Sequence, residues 1–177
     1  MVRIDELFGN PKLMEVLSYF LTHPTEEISQ TSLINKTGIS KATAVKWVGS
    51  LVLKELLIYK KVGRTHLYRL NNNKPLVKQL KVLNAVAQLQ ELKVPEGTEP
   101  YLYGSAARGE DSEDSDIDII IIGKCKREQV VNGIDQISKN IRRKINFTIF
   151  TEIEWSKMHK NDKPFYERVE KDKISLR

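Results

Sequence analysis

The sequence predicts two domains, a mainly helical one followed by one that mixes strands and helices. Apolar residues recur at helical spacing through the first third of the chain, and two β-prone runs follow them. Pro95, Gly97 and Pro100 then mark a boundary. Charge also changes there, because residues 1–95 carry 14 basic and 7 acidic side chains, whereas residues 96–177 carry 15 and 16. A chain of 177 residues is long enough for two small domains.

Three helices are expected in the first domain, each with a recognisable cap. Asn10 fits the N-cap of the first helix. Ser29 fits the cap of a short second helix that ends at Gly38, and Ser40 opens the third helix immediately afterwards. The apolar positions predicted to face a core are Leu13, Val16, Leu17, Phe20, Leu21, Leu33, Ile34, Ala44, Val45, Val48, Leu51 and Val52.

A short β-hairpin is predicted next, from the β-prone runs Leu57–Lys61 and Thr65–Leu70 on either side of Gly63. Two helices joined by a tight turn form a helix-turn-helix, and a following hairpin adds a wing. Residues 5–70 thus resemble the winged helix-turn-helix domains of MarR- and ArsR-type transcription regulators. The resemblance implies binding to double-stranded DNA, although such domains also serve as protein-docking modules. The residues expected to contact DNA are Lys41, Thr43, Lys46, Lys60, Lys61 and Arg64.

A linking helix is expected after the hairpin, because apolar residues recur with helical period from Leu76 to Leu89. The predicted domains are therefore residues 1–72, a linking helix within 73–97, and a second domain over 98–177. The apolar face within residues 74–92 would form a homodimer or would pack onto its own domains, and the sequence leaves both alternatives open.

Chemistry is predicted for the stretch from 101 to 122, which reads YLYGSAARGEDSEDSDIDIIII. A strand ends before Gly104 and Ser105, a turn and a polar loop follow, and a second strand begins at Asp116. Glycine lets a phosphate approach the backbone, and the serine hydroxyl can donate a hydrogen bond to it. Asp116 and Asp118 are two residues apart, so on a strand they share one face and can hold Mg²⁺ ions that bridge a nucleoside triphosphate.

The motifs of several other ligand-binding sites fit this stretch less well. The chain contains neither GxxxxGK[ST] nor GxGxxG, which excludes the P-loop and the dinucleotide-binding fingerprint. A calcium loop starting at Asp114 would need glycine where Ile119 stands. An ordinary acidic surface loop does not account for Asp118, which interrupts a strand that is otherwise apolar.

The string GSAARGEDSEDSDID resembles the signature of minimal nucleotidyltransferases of the DNA polymerase β superfamily, a group that includes antitoxin-type enzymes. The resemblance implies an α+β fold with a small mixed sheet and helices on one side, and transfer of a nucleotidyl group from NTP with release of pyrophosphate. By this resemblance Gly104, Ser105 and Arg108 bind the nucleotide. It also implies that Asp116 and Asp118 bind Mg²⁺, or alternatively Mn²⁺.

One departure from the family pattern concerns the third carboxylate, which usually lies on the next core strand. Here the segment KINFTIF places Asn146 at that position. An amide binds a cation weakly and cannot take a proton at neutral pH, so catalysis would be slow. Glu152 and Glu154 follow the strand and are expected to lie at a solvated helix start.

The sequence therefore leaves three functions open. The first is a DNA-binding, Mg²⁺-dependent nucleotidyltransferase with an unknown acceptor, in which Asp116, Asp118 and Asn146 form the catalytic centre. The second is a transcription regulator that binds NTP without turnover, and the third is an antitoxin-like enzyme that modifies a protein. A single cysteine, Cys125, and the absence of a signal peptide or a long apolar run favour the cytoplasm. The basic string from 142 to 144 is expected to be a solvated helix end, and the alternative is that it binds the triphosphate or an acidic substrate.

Overall fold

The computed structural model describes residues 8–177, and the predicted start of the first domain, residues 1–7, lies outside them. The chain divides into two compact units, Met1–Leu80 and Lys81–Arg177. Each unit has its own hydrophobic core. Between residues 8 and 177, no helix is long and apolar enough to cross a membrane.

Over residues 10–70, the first unit folds as three helices followed by a two-stranded antiparallel sheet. The three predicted N-caps are confirmed, since the side chains of Asn10, Ser29 and Ser40 each accept a hydrogen bond from the backbone N–H three residues ahead. Gly38 ends the second helix with a φ of 74°, as expected for a glycine in the left-handed region. The elements are α1 (Pro11–Thr22), α2 (Gln30–Thr37), α3 (Lys41–Leu53), β1 (Leu57–Val62) and β2 (Thr65–Leu70).

Helix α3 differs from the prediction in how many of its apolar residues are buried. Ala44, Val48 and Leu51 are fully buried in the core of the first unit. Val45, however, is 50% exposed, and Val52 is only partly buried. The apolar stripe is therefore narrower than predicted, because residues four apart stay on one face whereas Val45 follows Ala44 by a single residue, about 100° around the helix.

The predicted linking helix is α4 (Pro75–Leu89), which runs across the division between the two units. Its first part contributes Val77 and Leu80 to the core of the first unit. Its second part contributes Ala85 and Leu89 to the core of the second unit. The helix is therefore part of both units.

The second unit is built on the expected small mixed sheet, whose strands are β3 (Thr98–Tyr103), β4 (Ile117–Gly123), β5 (Ile145–Phe150) and β6 (Ile174–Ser175), in the order β5-β4-β3-β6. Strand β3 pairs antiparallel with β4 and β6, whereas β4 and β5 are parallel. A 3-10 turn, Arg127–Gln129, precedes the helix Val131–Ile141. The helices between and after these strands are α5 (Gly104–Ala107), α6 (Val131–Ile141), α7 (Glu152–Asn161) and α8 (Lys163–Asp172).

Helices cover both faces of this sheet, so the expectation of helices on one side is wrong. Ile119 and Ile121 of β4 pack in the cluster that contains Ile134 of α6. Ile120, which points to the opposite face, packs with Trp155 of α7. The cause is the nearly continuous isoleucine run of β4, since a strand that is apolar on both faces requires cover on both.

Candidate active site

Asp116, Asp118 and Asn146 meet where the parallel strands β4 and β5 begin. Asp116 directly precedes β4, one residue before the strand that was expected to include it, and Asp118 is the second residue of the strand. Asn146 lies opposite Asp118 in the parallel register. The Asn146 amide nitrogen donates to Asp116 Oδ2 at 2.9 Å and to Asp118 Oδ1 at 3.4 Å. These three side chains are called the Asp-Asn cluster below.

Lys144 supplies the nearest positive charge to the Asp-Asn cluster. Its Nζ atom lies 3.0 Å from Asp116 Oδ2, and its side chain is 70% exposed. The Lys144 ammonium and then the Asn146 amide hold the pKa of Asp116 below its ordinary value. Asp116 is therefore ionised at neutral pH, which suits a cation ligand and makes this carboxylate a weak base.

Gly104 forms the opposite side of the cluster, at the turn from β3 into α5. Its φ is 76°, in the left-handed region that only glycine adopts without strain. A Cβ atom at this position would lie 2.9 Å from Asp118 Oδ2. The half-buried Ser105 hydroxyl follows directly, and it forms no hydrogen bond with any residue from 8 to 177. The absence of a side chain at Gly104 thus allows the turn to approach the Asp118 carboxylate this closely.

The donor set of the Asp-Asn cluster fits a hard divalent cation in part. Two carboxylates provide oxygen ligands of the kind that Mg²⁺ prefers. The third member now directs its amide nitrogen to the carboxylates, and a half-turn of the amide would direct Oδ1 there instead. Within residues 8–177 no group of three His, Cys, Asp or Glu side chains could hold a metal ion. A metal at this site therefore requires ligands from water or phosphate in addition.

Tyr103 borders the cluster and was not recognised from the sequence. It pairs with Asp118 across the antiparallel β3-β4 ladder, and its ring stacks edge-on against Phe165. Burial and then the charge of Asp118 raise the pKa of the phenol, so its hydroxyl stays protonated at neutral pH. A neutral phenol adds a polar group to the border of the site without adding charge.

Comparison with known families agrees with this geometry. Residues 95–174 match the family model described as "Polymerase beta, Nucleotidyltransferase". This stretch is a nucleotidyltransferase domain of the polymerase beta type. A comparison with curated proteins gave no match.

Two solved structures are similar to the chain at low identity. One is described as a "crystal structure of the toxin-antitoxin with AMP-PNP"; it is 17% identical, the match covers 61% of this chain and 73% of that chain, and the TM-score is 0.35. The other is described as a "putative nucleotidyltransferase from Sulfolobus solfataricus"; it is 22% identical, with coverage of 56% and 85% and a TM-score of 0.31.

Arg108 of the nucleotidyltransferase domain was expected to bind the nucleotide, and the structure shows its guanidinium in two ion pairs. Its Nε atom contacts Glu110 at 2.9 Å, and its Nη1 atom contacts Asp172 at the end of α8. The Arg108 side chain is 38% exposed, whereas Asp172 is 9% exposed. This arginine thus ties α8 to the turn after α5, and a phosphate would have to compete with both carboxylates.

Sequence reasoning missed the buried contacts of Arg143 in the nucleotidyltransferase domain. Instead of lying on a solvated helix end, its side chain is 14% exposed and pairs with the buried Asp111 at 2.7 Å. Lys81 approaches the same carboxylate at 3.3 Å. Lys144, from the same basic string, contacts Asp116. The sequence signal was too weak to find these pairs, because charged residues are rarely buried and the partners lie far apart along the chain.

Glu152 and Glu154 lie in the first turn of α7, as expected from the sequence. Thr151 and Glu154 form a capping box, in which each side chain accepts a hydrogen bond from the backbone N–H of the other residue. The bond from the Thr151 backbone holds the pKa of Glu154 below its ordinary value. Both carboxylates therefore belong to the helix start, and no contact of theirs with the Asp-Asn cluster is observed within residues 8–177.

The residues expected to bind DNA are all on the surface of the first unit, but they differ in their partners. On α3, Lys41 and Lys46 are exposed, and Thr43 next to the helix start is partly buried. Lys46 lies over the Trp47 ring at 4.5 Å. On the hairpin, Lys61 and Arg64 are exposed, whereas Lys60 forms an ion pair with Glu27.

Proposed function

We propose that the nucleotidyltransferase domain transfers a nucleotidyl group from a nucleoside triphosphate to a hydroxyl group, with a divalent cation held by Asp116 and Asp118. Gly104 and Ser105 would contact the triphosphate. Asn146 would support the two carboxylates and, with its amide turned, add an oxygen ligand. The geometry of this cluster supports the proposal, in agreement with the family match.

The observation that carries the proposal is the close approach of a left-handed glycine turn to the carboxylate of Asp118, beside Asp116. A glycine with a φ of 76° stands where any Cβ would touch Asp118, and the serine hydroxyl that follows it has no hydrogen-bond partner among residues 8–177. Phosphate recognition needs both features, because the phosphate must approach backbone N–H groups and a hydroxyl. The carboxylates of Asp116 and Asp118, beside this turn, would provide the complementary cation site.

The proposed reaction forms a bond from the acceptor oxygen to the α-phosphorus and breaks the bond from that phosphorus to the bridging oxygen. Pyrophosphate leaves with the electron pair, and the hydroxyl proton passes to water, because Asn146 cannot accept it. When bound, the cation would neutralise part of the negative charge of the phosphates. Lys144, exposed beside Asp116, is placed to stabilise further negative charge on the phosphates.

The test is pyrophosphate release from labelled NTPs with Mg²⁺ or Mn²⁺, together with calorimetry of metal-dependent NTP binding. Asp116→Asn and Asp118→Asn should each abolish both signals, because a neutral amide replaces an ionised cation ligand. Asp114→Asn is the matched control, since Asp114 is an exposed carboxylate of the same loop. Equal NTP affinity in the control and in the two cluster variants would remove the metal-site assignment.

A second function, NTP sensing without turnover, is favoured by the contacts of Asn146. Asn146 would stand where the family usually has a third carboxylate, and its amide donates to both Asp116 and Asp118. A site of this composition binds metal and NTP but has no base at that position. Tight NTP binding by the wild type, without pyrophosphate release on prolonged incubation, would favour the sensor.

For the first unit we propose binding to double-stranded DNA in a winged helix-turn-helix arrangement. The support is the order of three helices and a hairpin, with exposed Lys41, Lys46, Lys61 and Arg64 on α3 and at the hairpin tip. Electrophoretic or fluorescence titration against duplex DNA at several salt concentrations tests it. A wild type without duplex affinity at low salt would exclude DNA as the partner.

A further inference from the structure

A buried charge cluster lies beside the acidic loop of the nucleotidyltransferase domain, and the proposed reaction does not use it. It consists of Lys81 on α4, Asp111 in the loop between α5 and β4, and Arg143 before β5. The side chains are 2%, 7% and 14% exposed, respectively. The Asp111 carboxylate accepts from Arg143 Nη1 at 2.7 Å and lies 3.3 Å from Lys81 Nζ.

Three further hydrogen bonds of this cluster go to the backbone of the same loop. Lys81 Nζ donates to the Asp111 carbonyl oxygen. Arg143 donates from Nε and Nη2 to the Ser115 carbonyl oxygen, at 3.1 and 2.8 Å. Burying charges costs free energy unless every charged group is paired and hydrogen-bonded, and these contacts meet that condition. The two cations therefore hold the loop at its beginning and at its end.

The end of the loop is where this arrangement bears on the Asp-Asn cluster. Arg143 donates to the carbonyl oxygen of the peptide group that joins Ser115 to Asp116. Because peptide groups are planar, the two hydrogen bonds to the Ser115 carbonyl oxygen also restrict the positions of the nitrogen and the Cα atom of Asp116. The guanidinium contacts Asp111 and the Ser115 carbonyl oxygen at the same time because its five N–H groups point in different directions within one rigid plane.

We propose that Arg143 is a positioning residue for Asp116. Asp111 anchors the Arg143 guanidinium, and Lys81 is the second cation that contacts Asp111. The proposal rests on the proposed function, in which Asp116 holds the cation. The Arg143 guanidinium donates to Asp111 and Ser115 of the loop, and the proposal gives it no contact with the reacting atoms. Its role is to keep the Asp116 carboxylate within reach of Asn146 and Asp118.

A purely stabilising role for the buried charge cluster is the alternative to positioning. Buried ion pairs are poor stabilisers compared with well-packed apolar side chains, which often replace them without loss. A stabilising role would therefore be retained by an apolar set of similar volume. A positioning role would be lost, because no apolar side chain can bind the Ser115 carbonyl oxygen.

The decisive variant is Arg143→Lys, which keeps the charge and a contact to Asp111 but loses the rigid fork. The matched control is Arg142→Lys, the same change at the neighbouring exposed residue. One readout needs no ligand: the side-chain amide signals of Asn146 in nitrogen-15 NMR spectra, because this amide donates to Asp116. A second readout is the affinity for Mn²⁺ with ATP, measured by calorimetry.

We expect Arg143→Lys to shift the Asn146 amide signals and to weaken Mn²⁺-ATP binding about tenfold, since small displacements in such a site are costly. Arg142→Lys should change neither. Unshifted Asn146 signals in Arg143→Lys would overturn the proposal. If the wild type fails to bind Mn²⁺-ATP, the proposed function fails, whereas the Asn146 signals still decide whether Arg143 positions Asp116.

The triple variant Lys81→Met, Asp111→Leu, Arg143→Met separates positioning from stability. We expect a thermal unfolding temperature close to that of the wild type, together with displaced Asn146 signals and weakened Mn²⁺-ATP binding. Wild-type Asn146 signals and wild-type affinity in this apolar variant would assign the buried charge cluster to stability alone. Arg143→Lys and the triple variant must therefore agree for the proposal to stand.

Discussion

Gly104 and Asp118 lie so close together that a Cβ atom on the glycine would be 2.9 Å from the carboxylate oxygen Oδ2 of Asp118. The two residues come from different elements, the turn after β3 and the start of β4. Their close approach leaves no room for a side chain at position 104, beside the proposed nucleotide site. The size of the side chain at position 104 should therefore control binding.

Gly104→Ala should weaken NTP binding by about tenfold or more, because the methyl group would displace Asp118 or close the space for phosphate. The backbone at position 104 has a φ of 76°, so the alanine should also lower the free energy of unfolding by about 1 to 2 kcal/mol. Calorimetric titration and chemical denaturation measure the two effects.

The control for that variant is Gly49→Ala. Gly49 lies within α3, and a Cβ atom there meets nothing within 4 Å. Alanine should therefore stabilise the first unit by about 0.5 to 1 kcal/mol and leave NTP binding unchanged. A loss of NTP affinity in Gly49→Ala as large as in Gly104→Ala would show that the effect is not local.

Asn146→Asp should increase nucleotidyl transfer, because it restores a base and a third carboxylate beside Asp116 and Asp118. General-base catalysis contributes about 10² to 10⁴ in rate, which sets the size of the expected gain. The substitution also removes the hydrogen bonds that the amide donates to both carboxylates. Three neighbouring carboxylates repel one another, so the variant should unfold at a lower temperature without a divalent cation than with one.

Two further variants make that experiment decisive. The rate gain should vanish in Asn146→Asp with Asp116→Asn, and Asn140→Asp, on the exposed surface of α6, should give no gain. A fast wild type that Asn146→Asp does not improve would mean that the acceptor needs no base at this position.

The capping box at the start of α7 should give the second unit a specific acid dependence. The pKa of Glu154 is lowered by the Thr151 backbone N–H and then by its hydroxyl. A carboxyl group with a lowered folded-state pKa contributes stability above its unfolded pKa, and this contribution is lost as the pH falls through the folded value. Thr151→Ala removes the hydroxyl but keeps the backbone N–H, so it should raise the pKa of Glu154 only part of the way to its ordinary value. It should also cost about 1 kcal/mol of stability through loss of the cap.

Carbon-13 NMR titration of Glu154 and thermal unfolding between pH 7 and pH 3 measure these changes. Glu154→Gln should flatten the dependence of the unfolding temperature on pH, because the amide does not titrate in this range. Glu152→Gln, in the same helix turn, is the control and should leave that dependence nearly unchanged. Identical pH profiles for the two glutamine variants would contradict the capping assignment.

On the hairpin, Lys60 pairs with Glu27, whereas no ion pair of Lys61 or Arg64 is seen within residues 8–177. If the hairpin tip contacts DNA, Lys61→Ala and Arg64→Ala should each lower the salt dependence of duplex binding by about one unit of slope. Lys60→Ala should change the slope less, since this lysine already has an acidic partner. Titrations from about 50 to 200 mM salt measure the slope of each variant. A larger change of slope in Lys60→Ala than in Arg64→Ala would contradict the expectation.

The sequence was most informative where a local interaction determines the structure. Asn10, Ser29 and Ser40 were predicted as caps because the hydrogen bonds they accept come from residues three positions ahead. The place of Asn146 beside Asp116 and Asp118 could be predicted only from the resemblance to nucleotidyltransferases. Strand register and direction, which bring Asn146 opposite Asp118, are not encoded within either strand alone.

The sequence was least informative about long-range pairing. Arg143 looked like one of three solvated basic residues because burial of a charge depends on a partner, and Asp111 lies 32 residues away. Helices α7 and α8 were not expected on the second face of the sheet, because each contributes a single fully packed residue, Trp155 and Val169, to the core there. Such sparse apolar patterns do not show which face a helix covers.

Helix α4 has a practical consequence for dividing the chain. A cut at residue 97, which the proline and glycine residues suggest, would leave the sheet of the second unit intact but would remove Ala85 and Leu89 from its core. It would also remove Lys81 and leave Asp111 with one cation in place of two. A cut at residue 74 keeps these residues but takes Val77 and Leu80 from the first unit. Either cut exposes apolar surface in one of the units, so the two units of this protein are best expressed and measured as one chain.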